Sequence, residues 1–334
     1  MTYRFHQQEN QTENLSNTTP QLTNTITFEY VTKLWLANRT NISKVSTINR
    51  YTNLVNNHIL PYLGSVPLSE LTTAQLQNYI YYLSQNGRID HSGGLSSKTI
   101  SDIICIVKSI LFYSEGLGYQ HNCIPRYIKC RREKKEMRVL SQEEQRKLST
   151  YLINHMCLTN AGILLALYTG VRIGELCALK YSDFDFLNQK LHISKTLQRL
   201  QDLKTNTTYI SISTAKSASS IRDIPVQDFL CHIYMDFQLQ EEDYLLSGNP
   251  EPIEPRTLEN RFKKIMKTLE IPNVTFHALR HTFATRSIEV GFDVKSLSEI
   301  LGHSSVNITL DRYVHSSFEL KTENMKKLKV LLND

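Results

Sequence analysis

The sequence predicts a mainly helical chain with one small antiparallel sheet, an α+β fold, divided into two folded units. Three observations predict it. At 334 residues the chain exceeds what one ordinary hydrophobic core organises. Apolar residues recur at three- and four-residue steps through most of its length, the period of one helix face. Between residues 190 and 226 that period gives way to alternation, the mark of strands buried on one side.

Residues 1–24 are rich in Gln, Asn and Thr and carry no apolar core of a secretory signal, so they read as a disordered polar tail. From Thr27 the pattern turns helical: Phe28, Val31, Leu34 and Trp35 share a face, and the helix is expected to end near Asn38. A second helix is expected from Ser46 to about Ile59, with Pro61 and Gly64 as its stop, and a third over residues 73–83. Residues 85–95 carry Gly87, Gly93 and Gly94 and read as a loop. Ser97 then caps a fourth helix, 98–115, that turns Ile100, Ile103, Ile104, Val107, Leu111 and Phe112 inward. Four helices make residues 25–120 a compact bundle. Residues 121–138 are polar and basic and read as a linker.

The second unit, 139–334, opens at Ser141 and Glu144, which have capping-box spacing ahead of a helix. A helix over 161–168 stops at Thr169-Gly170, and another begins at Arg172. The runs 190–197, 208–213 and 219–226 are expected to form one three-stranded antiparallel sheet. Helical pattern resumes at residue 257, with Leu301-Gly302 as a stop. The tail, 317–332, places Phe318, Leu320, Met325, Leu328 and Leu331 at roughly helical spacing. A helix that short is marginal alone, so it must dock on something.

Composition narrows the function classes. Hydrophobic residues at 40% and charged residues at 21% are ordinary for a soluble protein, and no apolar run approaches the roughly 20 residues of a membrane span. The six cysteines form no C-x-x-C pair and have no histidine at zinc-finger spacing, which fits reduced thiols in a cytoplasm. The formal charge of +6 lies entirely in the N-terminal part: 15 Lys+Arg against 9 Asp+Glu up to Arg138, then 23 against 23. Its densest stretch, 126–138, has seven basic and two acidic side chains, among them Lys129, Arg131, Arg132, Lys134 and Lys135. These are candidate phosphate contacts, and on charge alone a solvated linker explains them as well.

Four pieces of the second unit stand out. They are Tyr168-Thr-Gly-Val-Arg172-Ile-Gly-Glu175-Leu; Thr214-Ala-Lys216 leading to Ile221-Arg222-Asp-Ile-Pro225; His277-Ala-Leu-Arg280-His281-Thr; and Leu301-Gly-His303-Ser-Ser followed by Asp311-Arg-Tyr313-Val-His315. Each is weak alone, because arginines at helix starts, lysines in polar turns and one tyrosine among 17 need no explanation. Together, in this order, they resemble the tyrosine recombinase (phage integrase) family, and the phrasing looks most like integrases of conjugative transposons and related phages. The resemblance spans roughly residues 140–316 and implies a tyrosine-recombinase catalytic domain. By architecture, the N-terminal bundle then looks like the family's core-binding domain.

The resemblance implies a site-specific recombinase that cuts and rejoins DNA through a 3′-phosphotyrosine on Tyr313 and a Holliday junction, with no metal or cofactor. The residue types suit that chemistry. Strand transfer builds negative charge on non-bridging phosphate oxygens, which Arg172 and Arg280 can meet with planar, permanently charged forks. His303 would add a donor. The phenol of Tyr313 is ordinarily protonated at neutral pH, and His277 is implied as its base or as a phosphate-side partner. Lys216 takes the place of the acid that protonates the departing 5′-oxygen, with Lys195 and Lys204 as competitors. Glu175 is expected to hold the Arg172 region, and His281 is read as structural.

The implied partners are double-stranded DNA attachment sites, a homotetramer in the synaptic complex joined through the tail in trans or with the tail docked in cis, and accessory DNA-bending or excision factors. The tail 1–24 is too short and polar for a separate arm-binding domain, so binding to core sites only is expected. Three rivals are separable. A type IB topoisomerase would relax supercoils without any attachment sequence, and a DNA-binding regulator on the same fold would lack reactive positions. A metallohydrolase built on His277, His281 and His303 would be chelator-sensitive.

Overall fold

The computed structural model describes residues 26–130, 137–202, 205, 207–214, 220–313, 322, 325 and 326. The chain forms two compact units, divided between Glu133 and Lys134.

The first unit comprises α1 (Phe28–Ile42), α2 (Val45–Leu54), α3 (Leu60–Leu63), α4 (Thr73–Asn86) and α5 (Ser97–Gly116). The starts are set locally. Thr27 accepts from Tyr30 N, Ser96 from Thr99 N, and Thr72 forms a capping box with Gln75. The cap of α5 is thus Ser96, one residue earlier than expected. Phe28, Val31 and Trp35 of α1 enter a core with Val55, Ile59, Leu76, Leu83, Ile103 and Ile110.

The first helix runs on to Ile42 instead of ending near Asn38, and two further expectations for this unit fail for identifiable reasons. Pro61 does not end the second helix. A π-helical turn, Val55–Ile59, closes with Leu60 N bonded to Val55 O, and Pro61 falls in the first turn of α3, where a missing N–H costs no bond. Phe112 is not inward but 73% exposed. The core face of α5 is taken by Ile103, Ile106, Val107, Ile110 and Leu111, and one further residue turns the side chain about 100° away from it. Beyond α5, Cys123 and Ile128 are buried in the same core, and Lys129 is exposed beside them. Arg131, Arg132, Lys134 and Lys135 lie outside the described residues.

The second unit is built around α7 (Leu158–Thr169), in which Ile163, Leu164, Leu165, Ala166 and Leu167 are all buried. A helix apolar on every side must be surrounded, and α6 (Gln142–Asn154), α9 (Asp228–Asp236) and α11 (His277–Glu289) pack on it. α6 starts at the expected capping box of Ser141 and Glu144. The remaining helices are α8 (Ile173–Leu176), α10 (Pro255–Thr268), α12 (Val294–Leu301) and α13 (Val306–Tyr313).

The single three-stranded sheet expected from the alternating runs is instead two sheets. β1 (Phe184–Asp185), β2 (Lys190–Ile193) and β5 (Arg222–Pro225) form one in the order β1-β2-β5, and β3 (Lys195–Gln201) and β4 (Thr208–Thr214) form a separate antiparallel hairpin. The run 190–197 breaks at Ser194: up to Ile193, paired with Arg222, it belongs to β5, and from Lys195, paired with Thr214, to β4. Alternation specifies which side chains face inward, not which strand supplies the partner.

Candidate active site

Among the described residues of the second unit, the arginines, histidines and tyrosine of the four motifs gather around the C-terminal end of α12. The last carbonyls of a helix have no partner within it and sit at the negative end of its dipole. Here three consecutive carbonyls each hold an arginine. Ile300 O accepts from Arg222 Nε (2.6 Å), Leu301 O from Arg280 Nη2 (2.6 Å) and Gly302 O from Arg172 Nη2 (3.0 Å). Gly302 closes the helix in the left-handed region, φ 63°, as the sequence pattern expected. The stop of α7 is built the same way: Gly170, φ 68°, turns the chain toward Arg172 and presents its own carbonyl to Arg280 Nη1 at 2.8 Å.

Glu175 ties two of these arginines together. Its oxygens accept from Arg172 Nη1 (2.7 Å) and Arg172 N (3.0 Å), and both receive the fork of Arg222, at 3.2 and 3.0 Å. Burial alone would raise the Glu175 pKa, but the hydrogen bonds and charges of Arg222 and Arg172 outweigh it and hold the carboxyl below the usual range. Arg280 is only 3% exposed, and burial followed by Arg172 pulls it down to about 9, still cationic at neutral pH. The Arg172 side chain keeps 37% exposure and so reaches solvent, where a phosphate could meet it.

Beside this cradle lie three histidines and a tyrosine. Tyr313, the last residue of α13, is buried against Ala284, Leu297 and Leu301. Its hydroxyl lies 2.8 Å from Nδ1 of His281, and its ring runs parallel to that of His303 at 6.5 Å. Burial raises the Tyr313 pKa, and the charges of Arg280 and Arg312 work against that rise. His303 Nδ1 is hydrogen-bonded to the buried Thr309 hydroxyl at 2.8 Å, which orients the ring and leaves Nε2 free of that bond. His277, an exposed residue, starts α11 and its ring meets that of His281 edge-to-face at 4.6 Å. All three imidazoles are shifted down, first by desolvation and then by neighbouring charges, those of arginines at His277 and His303 and of His277 and two arginines at His281; His281 falls to about 4 and His303 to about 3, which makes these two neutral at neutral pH. The arrangement therefore offers cationic forks, neutral imidazoles and one phenol around a common point, the equipment for phosphoryl transfer through a covalent tyrosine.

Comparison with known proteins decides the class. Residues 138–319 match the phage integrase family, and residues 27–84 match the N-terminal SAM-like domain of phage integrases. The chain belongs to the phage integrase family of tyrosine recombinases. Its members are DNA strand cleavage and rejoining enzymes, as the four motifs had implied. The recombinase is 29% identical over 313 residues to a XerC-like tyrosine recombinase of Caldanaerobacter subterraneus subsp. tengcongensis, covering 85% of this chain and 78% of that one. It is 22% identical over 323 residues to the ICEBs1 integrase of Bacillus subtilis, covering 92% and 84%. With the Tn916 transposase of Enterococcus faecalis it shares 29% over 215 residues, 57% of this chain and 51% of that one, so it spans about half of that relative. The fold is that of the Tn1549 transposon integrase solved with transposon right end DNA, at TM-score 0.74 and 22% identity over 91% of this chain and 100% of that one. The lambda integrase tetramer solved on a Holliday junction gives TM-score 0.64 and 19% identity, covering 89% and 80%.

Of the site residues expected in this recombinase, the structure brings together Arg172, Glu175, His277, Arg280, His303 and Tyr313. Lys216 and its competitor Lys204 lie outside the described residues, as does most of the tail 317–332. Lys195 stands on β3 with Nζ 3.7 Å from Asp183 Oδ1. Two further residues meet this set: Arg222, assigned no role from the sequence, and His281, read from the sequence as structural. Arg222 could have been found, since alternation puts it in phase with buried Ile224. The contact of His281 with Tyr313, 32 residues away, left no local signal.

Proposed function

We propose that this chain is a site-specific DNA recombinase whose Tyr313 hydroxyl attacks a scissile phosphodiester, forms a 3′-phosphotyrosine and releases a 5′-hydroxyl. Two such exchanges, through a Holliday junction, recombine a pair of attachment sites. Arg172 and Arg280 take the non-bridging oxygens and His303 Nε2 adds a donor. His277, exposed at the start of α11, is a phosphate-side hydrogen-bond partner. Lys216 protonates the departing 5′-oxygen, and Glu175 keeps Arg172 in place. Lys129, Arg131, Arg132, Lys134 and Lys135 grip phosphates from the segment that links the two units. The assembly is a homotetramer on DNA in the cytoplasm, with the tail docking on a neighbouring protomer and accessory DNA-bending or excision factors biasing direction. No helix among the described residues is long and apolar enough to cross a membrane.

The observation that carries this reading is the placement of the Tyr313 hydroxyl among neutral imidazoles beside guanidiniums anchored on one helix end. The test is covalent trapping. On a nicked suicide duplex the wild-type chain should become linked to DNA through a Tyr313-containing peptide. Tyr313→Phe should bind the same duplex with unchanged preference and yield no adduct. An adduct of normal yield in that variant removes Tyr313 as nucleophile.

A further inference from the structure

The hydroxyl of the nucleophile is paired with a histidine outside the expected catalytic set: His281 Nδ1 and Tyr313 Oη are 2.8 Å apart. We propose that His281 is the general base of strand cleavage, its Nδ1 taking the phenolic proton as Tyr313 Oη attacks phosphorus. The inference rests on the reading of Tyr313 as nucleophile. In the forward step the Tyr313 O–H bond breaks and an N–H bond forms on His281 Nδ1. The Oη–P bond forms as the bond from phosphorus to the 5′-oxygen breaks, and that oxygen is protonated by the acid of the site. In religation the incoming 5′-hydroxyl returns its proton to the deprotonated acid of the site as its oxygen attacks phosphorus, the Oη–P bond breaks, and His281 returns its proton to the phenolate.

Geometry favours His281 over His277. A base must lie within hydrogen-bond reach of the proton it removes. His281 does, whereas no hydrogen bond joins His277 to Tyr313 among the described residues. His281 is also buried on α11, so its ring is held by packing and shielded from bulk water. The charged and titratable groups facing it are His277 and Arg280 on its own helix and Arg312 and Tyr313 on α13. Burial first, then the charges of His277, Arg312 and Arg280, lower its pKa to about 4 in the DNA-free protein and keep the imidazole neutral; in the tautomer protonated on Nε2, Nδ1 accepts from the Tyr313 hydroxyl. A bound phosphodiester brings a negative charge into this cluster. That charge offsets the arginines and raises the basicity of the imidazole when the proton has to move. The same arginines favour the phenolate, so proton donor and acceptor are drawn together.

The test separates proton transfer from mere positioning. His281→Asn keeps an acceptor oxygen near the place of Nδ1 but cannot take up the proton, and tetrafluorotyrosine at position 313 has a phenol already ionised at neutral pH. The substrate is a suicide duplex built from the DNA that the wild-type chain links to in its host. His281→Asn should bind this duplex normally, form adduct roughly 10²- to 10⁴-fold more slowly, and speed up about tenfold per pH unit as the phenol ionises. Tetrafluorotyrosine should restore His281→Asn to within about tenfold of wild type carrying the same residue, and leave His277→Asn slow. Wild-type cleavage by His281→Asn, or a slow rate with no pH slope and no rescue, overturns the proposal. Rescue of His277→Asn alone moves the base to His277. Should His281→Asn fail to fold, the otherwise native chain answers: tetrafluorotyrosine must abolish the rising acid limb of its pH–rate profile, and a retained limb overturns the proposal. A wild-type chain that forms its adduct elsewhere than Tyr313 defeats the nucleophile reading instead, a separate outcome.

Discussion

Arg280 donates from Nη2 to the carbonyl of Leu301 at 2.6 Å, and the carbonyls on either side of Leu301 hold Arg222 and Arg172. The end of α12 is therefore a template for three like charges that would otherwise repel one another. Each is held by an unpaired helix carbonyl and by the dipole behind it. His303 follows directly from the same end, so its imidazole and the guanidiniums share one origin.

Gly302 makes that end possible. An alanine there should destabilise the protein by about 1–2 kcal/mol, the penalty of a side chain in the left-handed region. Gly302→Asn should cost less, because asparagine tolerates that conformation. Thermal melts should rank the three forms in that order, and single-turnover cleavage should follow the same rank. Full cleavage by a destabilised Gly302→Ala would show that these carbonyls do not position the arginines for chemistry.

Glu175 is the second point of tension. Glu175→Ala leaves Arg222, 6% exposed, without its carboxylate and should cost about 3–5 kcal/mol. The pH dependence has a definite sign. Since the folded state holds the Glu175 carboxyl below its ordinary value, its contribution is complete above the unfolded value of about 4.3 and is lost as pH falls through the folded one. The stability difference between wild type and Glu175→Gln, followed by urea denaturation, should be constant near neutrality and shrink in acid. A difference that grows in acid contradicts the assignment.

Lys216 is tested by changing the leaving group. Lys216→Ala should cleave ordinary DNA roughly 10²- to 10⁴-fold more slowly and recover on a substrate with sulfur in place of the bridging 5′-oxygen, since a thiolate departs without a proton. If Arg172 acts on the non-bridging oxygens, Arg172→Ala should not recover. Equal rescue of both, or none for Lys216→Ala, transfers the acid to Lys195, Lys204 or a histidine.

The basic segment is tested with salt. If Lys129, Arg131, Arg132, Lys134 and Lys135 neutralise phosphates, replacing all five should flatten the plot of log affinity against log salt by about 0.9 for each phosphate no longer neutralised. Sequence preference should survive, because phosphate contacts carry none directly. An unchanged slope makes the segment a plain linker.

What the sequence by itself determined is what neighbouring residues decide. The capping box of Ser141 and Glu144, the stops at Gly170 and Gly302, the inward set Phe28, Val31 and Trp35, and the order of the four motifs all follow from interactions within a few residues. The family was legible for the same reason, because each motif is a short local phrase. Tertiary structure alone decided the rest. It set which strand pairs with each half of 190–201, let the chain pass Pro61 through a π turn, and turned Phe112 to solvent. It also joined Arg222 to Glu175 across 47 residues and set His281 against Tyr313 across 32. Alternation and helical periodicity record only which side of an element is buried. What a buried polar atom bonds to depends on the segment packed against it, and in this site that segment is distant in the chain.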